Sequence, residues 1–267
     1  MAFSALPLAT AIDGALPVAG PQSAALLALL GLILGSFIAT LVIRWPHGRS
    51  VMAGRSVCDG CGRALGVGEL VPLLSALVQR GRCRACGGAI NPLHGRIELA
   101  AGLIGALAGA TLPGMAAPVA ALFGWLLLAL AALDITEFWL PDVLTATLAL
   151  AGVASWALGI GPALADRLIG GAAGFGALWA IGAGYRMLRG REGLGGGDPK
   201  LLGAIGLWLG WRLLPAVVLV AALVGLGVVL LRWAGGRAVD RGDALPLGAL
   251  LAIAAYPAEI IMLSSAA

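Results

Sequence analysis

The stretch MAAPVAALFGWLLLALAAL, residues 115–133, contains no charged side chain and ends against Asp134. A helix needs about 20 apolar residues to cross the hydrocarbon core of a bilayer, so this run has the length of a membrane span and the aspartate marks its end. Working outward, apolar segments of the same character lie at 22–43, 97–112, 142–160, 165–188, 200–213, 214–232 and 245–264. The 267 residues are 60% hydrophobic and only 11% charged, more apolar surface than a water-soluble core can hide. The pattern predicts an all-α fold, a polytopic membrane helical bundle of about eight transmembrane helices. The segment at 200–213 is short and carries Gly203, Gly206 and Gly210, which predicts a tilted or partly re-entrant helix packed inside the bundle. Gly170-x-x-x-Gly174 in the fifth segment has the spacing of a close-packing face.

The charges orient these segments, because Lys and Arg accumulate on the cytosolic side of membrane spans. With the N-terminus outside, the cytosolic connections are 44–96, 134–141, 186–200 and 232–244, and they hold all 17 Lys and Arg except Arg167 and Arg212. The net charge of +4 is then a topology signal. No aromatic-basic interleaving accompanies the basic residues, so they do not form a nucleic-acid footprint. Residues 1–21 lack a basic stretch ahead of an apolar run and carry Asp13 as their one charge, which reads as an external N-terminal segment rather than a cleavable signal. The organisation expected is a first transmembrane helix at 22–43, a cytosolic domain at 44–96 and a transmembrane domain at 97–267.

The cytosolic stretch holds all four cysteines and both histidines. Cys58-x2-Cys61 and Cys83-x2-Cys86 have the spacing of two knuckles that place four thiolates around one Zn2+ ion. Gly60, Gly62, Gly87 and Gly88 free the backbone for amide-to-sulfur hydrogen bonds, and Arg63, Arg82 and Arg84 offset the negative charge of a zinc tetrathiolate. Two disulfides or free redox thiols share the spacing, but a reducing cytosol favours the metal. His47 and His94 lie outside the knuckles and read as surface or interface residues.

Asp134 ends the third apolar segment, and Asp198 opens the sixth in Gly195-Gly196-Gly197-Asp198-Pro199-Lys200. Both fall at the same membrane face, and an ionisable group there is a functional-site hypothesis. Two carboxylates sharing one proton can hydrolyse a peptide bond, one taking a proton from water while the other donates to the scissile carbonyl. The glycines admit an extended peptide close to the backbone. Lys200, the only lysine, reads either as a support for ionised Asp198 or as a snorkelling anchor. Asp142, after Pro141, suits the first turn of a helix. Glu137 and Glu192 read as acidic surface near the site. Taken singly, each aspartate is also open to reading as a proton-coupling carboxylate or a helix cap, so a proton-coupled transporter is the competing function. A non-catalytic zinc-bearing assembly factor would explain the cysteines but not the aspartates.

These motifs together resemble the type IV prepilin peptidases, the leader peptidase/N-methyltransferases of the GxGD aspartyl protease group. The resemblance rests on Gly35-Ser36-Phe37, the two cysteine pairs, Arg80-Gly81-Arg82-Cys83-Arg84, Glu98, Asp134 with Leu140-Pro141-Asp142, and Gly195-x-Gly197-Asp198-x-Lys200-Leu201. Leu245-Pro246-Leu247-Gly248 resembles the family's segment before the last helix. The resemblance implies an inner-membrane enzyme that removes the basic leader of type IV prepilins or type II secretion pseudopilins after a glycine, at the cytosolic face. It also implies methylation of the new N-terminus with S-adenosylmethionine. Asp134 and Asp198 match the catalytic pair, with Gly195, Gly197, Lys200 and Asp142 supporting it, and Gly81, Arg82 and Glu98 match positions linked to methyl transfer. The chain departs from the family pattern at Ile38-Ala39-Thr40, Glu69-Leu70-Val71-Pro72 and His94-Gly95-Arg96-Ile97, all in the N-terminal half. A peptidase without methyltransferase activity is therefore the alternative the departures leave open.

Overall fold

The computed structural model of the chain describes residues 19–51, 55–58, 60–191, 193–236 and 244–266. The external segment expected at 1–21 lies almost wholly outside them, as does Glu192. Each of the eight apolar segments becomes a helix: α1 Pro21–Arg44, α2 Leu93–Thr111, α3 Ala116–Glu137, α4 Asp142–Ala157, α5 Leu164–Arg189, α6 Asp198–Leu209, α7 Leu214–Ala234 and α8 Leu247–Ser264. Five of them, α1, α3, α5, α7 and α8, are long and apolar enough to cross a membrane. The chain is a multi-pass helical membrane protein. At 1.5 Å per residue the 12-residue α6 is only about 18 Å long, against a hydrocarbon core of about 30 Å.

α3 is the centre of the bundle. It is apolar on every side, as a membrane span can be, and most of its residues are buried among neighbouring helices. Phe123, Leu127 and Leu130 face one core, shared with Leu148 of α4, Ile205 and Trp208 of α6, Val217 of α7 and Leu251 of α8. Trp125, Ala129 and Leu133 face a second core, made with Ile38 and Val42 of α1 and Ile97 and Ala101 of α2. Polar tips inside the bundle find carbonyls, as they must without water. Trp125 Nε1 donates to Ala101 O at 2.9 Å, Trp208 Nε1 to Leu148 O at 2.7 Å and Tyr256 Oη to Ile104 O at 2.7 Å.

The short α6 packs inside the bundle as its glycines predict: Leu201 and Ile205 are fully buried. Its contact with α5 runs backbone against backbone. A Cβ on Gly206 would lie 2.2 Å from the Gly170 carbonyl oxygen, and one on Gly174 2.7 Å from that of Leu202. Gly206→Leu is accordingly expected to force α5 and α6 apart, lowering both the yield of folded protein and its melting temperature, which size-exclusion and thermal-shift measurements would read.

Arg167, which the charge pattern leaves on the outer side, is buried rather than solvated. Its guanidinium donates to the carbonyls of Gly152 and Leu207 at 2.7 Å, of Pro162 at 2.9 Å and of Ile160. One side chain thus ties the ends of α4 and α6 and the α4–α5 connection together. The buried Glu259 of α8 lies within its electrostatic reach, with Oε2 lacking a hydrogen-bond partner among the described residues. Arg167→Leu strands these carbonyls and the carboxylate, and a loss of about 3 kcal/mol or more is expected from the melting of the purified protein.

Between α1 and α2 the chain leaves helical order. A 3-10 turn at Trp45–His47, another at Val67–Glu69 and a five-residue helix at Leu74–Val78 are joined by two cysteine turns, each closed by one antiparallel bridge, Val57 with Ala64 and Arg82 with Ala89. Trp45 meets Trp139, beyond the end of α3, edge to face at 5.3 Å between ring centroids. The cysteine module therefore sits beside the same end of the bundle as the aspartates.

Candidate functional site

α3 runs one turn past Asp134 and ends at Phe138, which adopts a left-handed conformation and returns its amide to the Asp134 carbonyl at 3.0 Å. That reversal sends Trp139 and Leu140 back across the helix end. From the other side the glycine run reaches α6, whose first residue is Asp198 and whose second is Pro199, a residue suited to a helix start because it lacks an N–H that the first turn would leave unpaired. Asp134 and Asp198 are both buried, at 5% and 6% exposure, on the wall of one cavity of about 600 Å³. The same cavity is lined by Phe138, Trp139, Leu140 and residues 193–197, so two acids 64 positions apart in sequence meet one space.

A third element completes it. The backbone amide of Ala249, in the first turn of α8, donates to Asp134 Oδ2 at 2.9 Å. The positive end of the α8 dipole thus faces a carboxylate. The approach requires glycine at 248, where a Cβ would sit 2.9 Å from that oxygen and 3.0 Å from Leu140 Cδ1. The Leu245-Pro246-Leu247-Gly248 stretch was legible as a motif, but its role as the seat of Asp134 was not, because a helix N-terminus is recognisable in sequence while the acid it faces is not. Gly248→Val is expected to push Asp134 out of place and reduce turnover about 10²-fold, with the protein still folded, in a steady-state cleavage assay.

The supporting residues divide. Gly195 packs against Asp198, where a Cβ would lie 3.0 Å from Oδ2, and Gly197 packs against Leu140, where a Cβ would lie 2.7 Å from its Cβ. Lys200 pairs with Asp142 and not with Asp198. Residues two apart on a helix point to different sides, and Lys200 Nζ instead donates to Asp142 Oδ1 at 2.6 Å. This solvated pair lines a separate cavity with α5. Glu137 is exposed at the end of α3.

The four cysteines converge as their spacing predicts. All their Sγ atoms lie within 4.8 Å of one another, with Cys58 and Cys86 3.9 Å apart. A tetrahedron of 2.3 Å Zn–S bonds has an edge of about 3.8 Å, so the donor set fits Zn2+. The backbone amides of Cys86 and Ala85 donate to the Cys83 sulfur and lower its thiol to about 6. The Gly88 amide works in the same direction on Cys86, but the neighbouring sulfurs of Cys61 and Cys83 outweigh it and push that thiol up to about 11. A divalent cation relieves this repulsion by taking the place of the protons. Neither histidine belongs to the cluster among the described residues.

The three residues that the resemblance links to methyl transfer are not gathered. Arg82 is exposed and reaches the Gly87 carbonyl at 3.4 Å, and Gly81 takes a positive φ of 69° to turn the chain into the second knuckle. Glu98 is buried in α2, where its Oε2 accepts from the Leu73 amide at 2.9 Å.

Comparison with known proteins matches both halves. Residues 29–112 match the Bacterial Peptidase A24 N-terminal domain, and residues 121–230 match the Type IV leader peptidase family. The chain belongs to the type IV leader peptidase family. Three relatives are each named prepilin leader peptidase/N-methyltransferase. That of Aeromonas salmonicida is 39% identical over 212 residues, covering 78% of this chain and 71% of the relative. That of Burkholderia pseudomallei is 39% identical over 252 residues, covering 84% and 81%. The Pseudomonas aeruginosa protein is 33% identical over 263 residues, covering 85% and 87%. No match was found among solved structures. In this type IV leader peptidase the helix that seats Asp134, α8, lies beyond the residues matched by either family model.

Proposed function

We propose that the chain is a bifunctional prepilin peptidase: it removes the leader from type IV prepilins or type II secretion pseudopilins and methylates the amine that cleavage exposes. The observation that carries the peptidase reading is the burial of Asp134 and Asp198 on the wall of one cavity. In this reading one carboxylate takes a proton from water, whose oxygen bonds to the scissile carbonyl carbon. The other gives its proton to the carbonyl oxygen, and collapse of the tetrahedral species releases the amine. The Gly193-to-Gly197 loop would carry the substrate backbone, and the acidic Glu137 rim would attract the basic leader. Lys200 and Asp142 have no part in proton transfer, since they neutralise each other outside the cavity.

The domain boundaries and topology belong to the same proposal. Residues 1–21 lie outside, 22–43 cross the inner membrane, 44–96 form a cytosolic four-cysteine zinc module that serves methyl transfer, and 97–267 form the peptidase domain with its site at the cytosolic face. S-adenosylmethionine is the methyl donor that the resemblance implies, and the relatives are named as N-methyltransferases. Mass spectrometry of a co-expressed prepilin reports leader loss and a 14-dalton methyl gain separately. Both are expected, and an intact leader in the presence of folded enzyme would overturn the reading.

A further inference from the structure

Resting on the methyl-transfer half of that reading, we infer that the donor, S-adenosylmethionine, binds in a two-lobed groove between the cytosolic-side end of α1 and the cysteine module. The groove has lobes of about 150 and 290 Å³ that share Ser36, Thr40, Arg44, Ser56 and Leu70 as walls. Together they reach the size range of small-molecule sites, about 300–1,000 Å³. Packing makes the groove: a Cβ on Gly35 would lie 2.7 Å from Glu98 Cα, so α1 and α2 touch there and bring the buried Glu98 carboxylate to the smaller lobe. Arg44 supplies a guanidinium to both lobes, and its one hydrogen bond among those described, to the Val57 carbonyl, is long at 3.4 Å.

The chemistry of the walls matches a zwitterionic nucleoside sulfonium. Arg44 suits the donor's carboxylate, and Glu98 suits its ammonium or sulfonium charge. Leu70 and Ile90 offer apolar faces to an adenine, with the Asn91 and Gln79 amides at polar positions on the same wall. The groove also lies beside the path of the product. Arg44 precedes Trp45, whose ring packs on Trp139, and Trp139 lines the aspartate cavity. The two spaces are thus linked through the Trp45–Trp139 contact, and a newly freed amine passes from one to the other. There its lone pair forms a bond to the donor's methyl carbon as the carbon–sulfur bond breaks, leaving a neutral thioether, while the proton lost from nitrogen passes to water.

The assignment differs from the sequence reading, since of Gly81, Arg82 and Glu98 only Glu98 lines the groove. The test is equilibrium binding of tritiated S-adenosylmethionine to the purified full-length protein, with leader removal assayed on the same preparations. Glu98→Gln keeps an acceptor for the Leu73 amide, Arg44→Gln removes the cation, and Ser36→Leu fills the shared wall. Each is expected to weaken donor binding at least about tenfold and leave leader removal within about twofold, whereas Asp134→Asn is expected to bind donor normally. Wild-type donor affinity in all three folded variants would overturn the site while leaving the methyltransferase reading intact. A wild-type protein that cleaves but neither binds donor nor methylates would overturn both. Unchanged zinc content and melting temperature identify folded variants.

Discussion

Asp134→Asn and Asp198→Asn are each expected to lower leader removal by at least about 10³-fold while leaving the protein folded. Both substitutions are isosteric, so the cavity keeps its shape, and an Asn carbonyl can still accept the Ala249 amide bond that Oδ2 of Asp134 accepts now. Neither amide can carry the proton that a shared-acid mechanism passes between water and the scissile carbonyl. The losses are not additive: once one carboxylate is gone the pair no longer works, so the double variant is expected to fall no further than the worse single one. Asp→Glu at either position is expected to fail nearly as badly, because one added methylene displaces the acid by more than a cavity held by Leu140 and Gly248 tolerates. Mass spectrometry of prepilin processed in detergent or nanodiscs provides the measurement. A control with a pre-cleaved, unmethylated pilin peptide separates the two activities, since both Asn variants are expected to methylate it at the wild-type rate. Cleavage by either variant at a wild-type rate would remove the dyad from the mechanism.

The helices were legible in sequence because a span is written as composition and length, which are local properties. The apolar run at 115–133 becomes α3, and the boundary differs by the one turn that carries Asp134 inside the helix. The cysteine cluster was legible for a similar reason, since two short turns fix most of its geometry before any tertiary contact forms. The partners of charged residues were not legible. Lys200 adjoins Asp198 in sequence, yet the helix turns it toward Asp142, and nothing near residue 142 in sequence announces that pair. The α8 amide on Asp134 joins residues 115 positions apart. Arg167 is similar: its carbonyl partners come from the end of α4, the connection after it and α6, and four spatially converging backbone groups leave no side-chain pattern to read. What sequence supplies in such cases is the small residue that permits the approach, as Gly248 does here, and not the identity of what approaches.

Removing the metal is expected to unmake the cysteine module and abolish methyl transfer while sparing most leader removal. The module between α1 and α2 has almost no core of its own: among its described residues only Cys83 is buried, and its regular structure is limited to two bridges and a few helical turns. A segment with so little apolar burial cannot offset the entropy of ordering its chain. A tetrathiolate site supplies on the order of 10–16 kcal/mol of apparent binding energy, and in such modules binding energy is folding energy. Cys83→Ser and Cys86→Ser are therefore each expected to reduce zinc from near one equivalent per chain to little or none, and to render 50–90 protease-sensitive. The effect should also follow acidity in a defined direction. Each thiol must lose its proton to bind, so zinc retention falls as pH falls, and Cys86, pushed up to about 11, yields its place to a proton before Cys83, held at about 6. Because the bundle core around α3, α6 and α8 shares no residue with the module, the aspartate cavity is expected to survive, apart from the loss of the Trp45 contact on Trp139. Metal analysis, limited proteolysis and the two product masses measured on one chelator-treated preparation distinguish the outcomes. Full methylation by protein shown to hold no metal would mean that the four sulfurs fold the module without an ion.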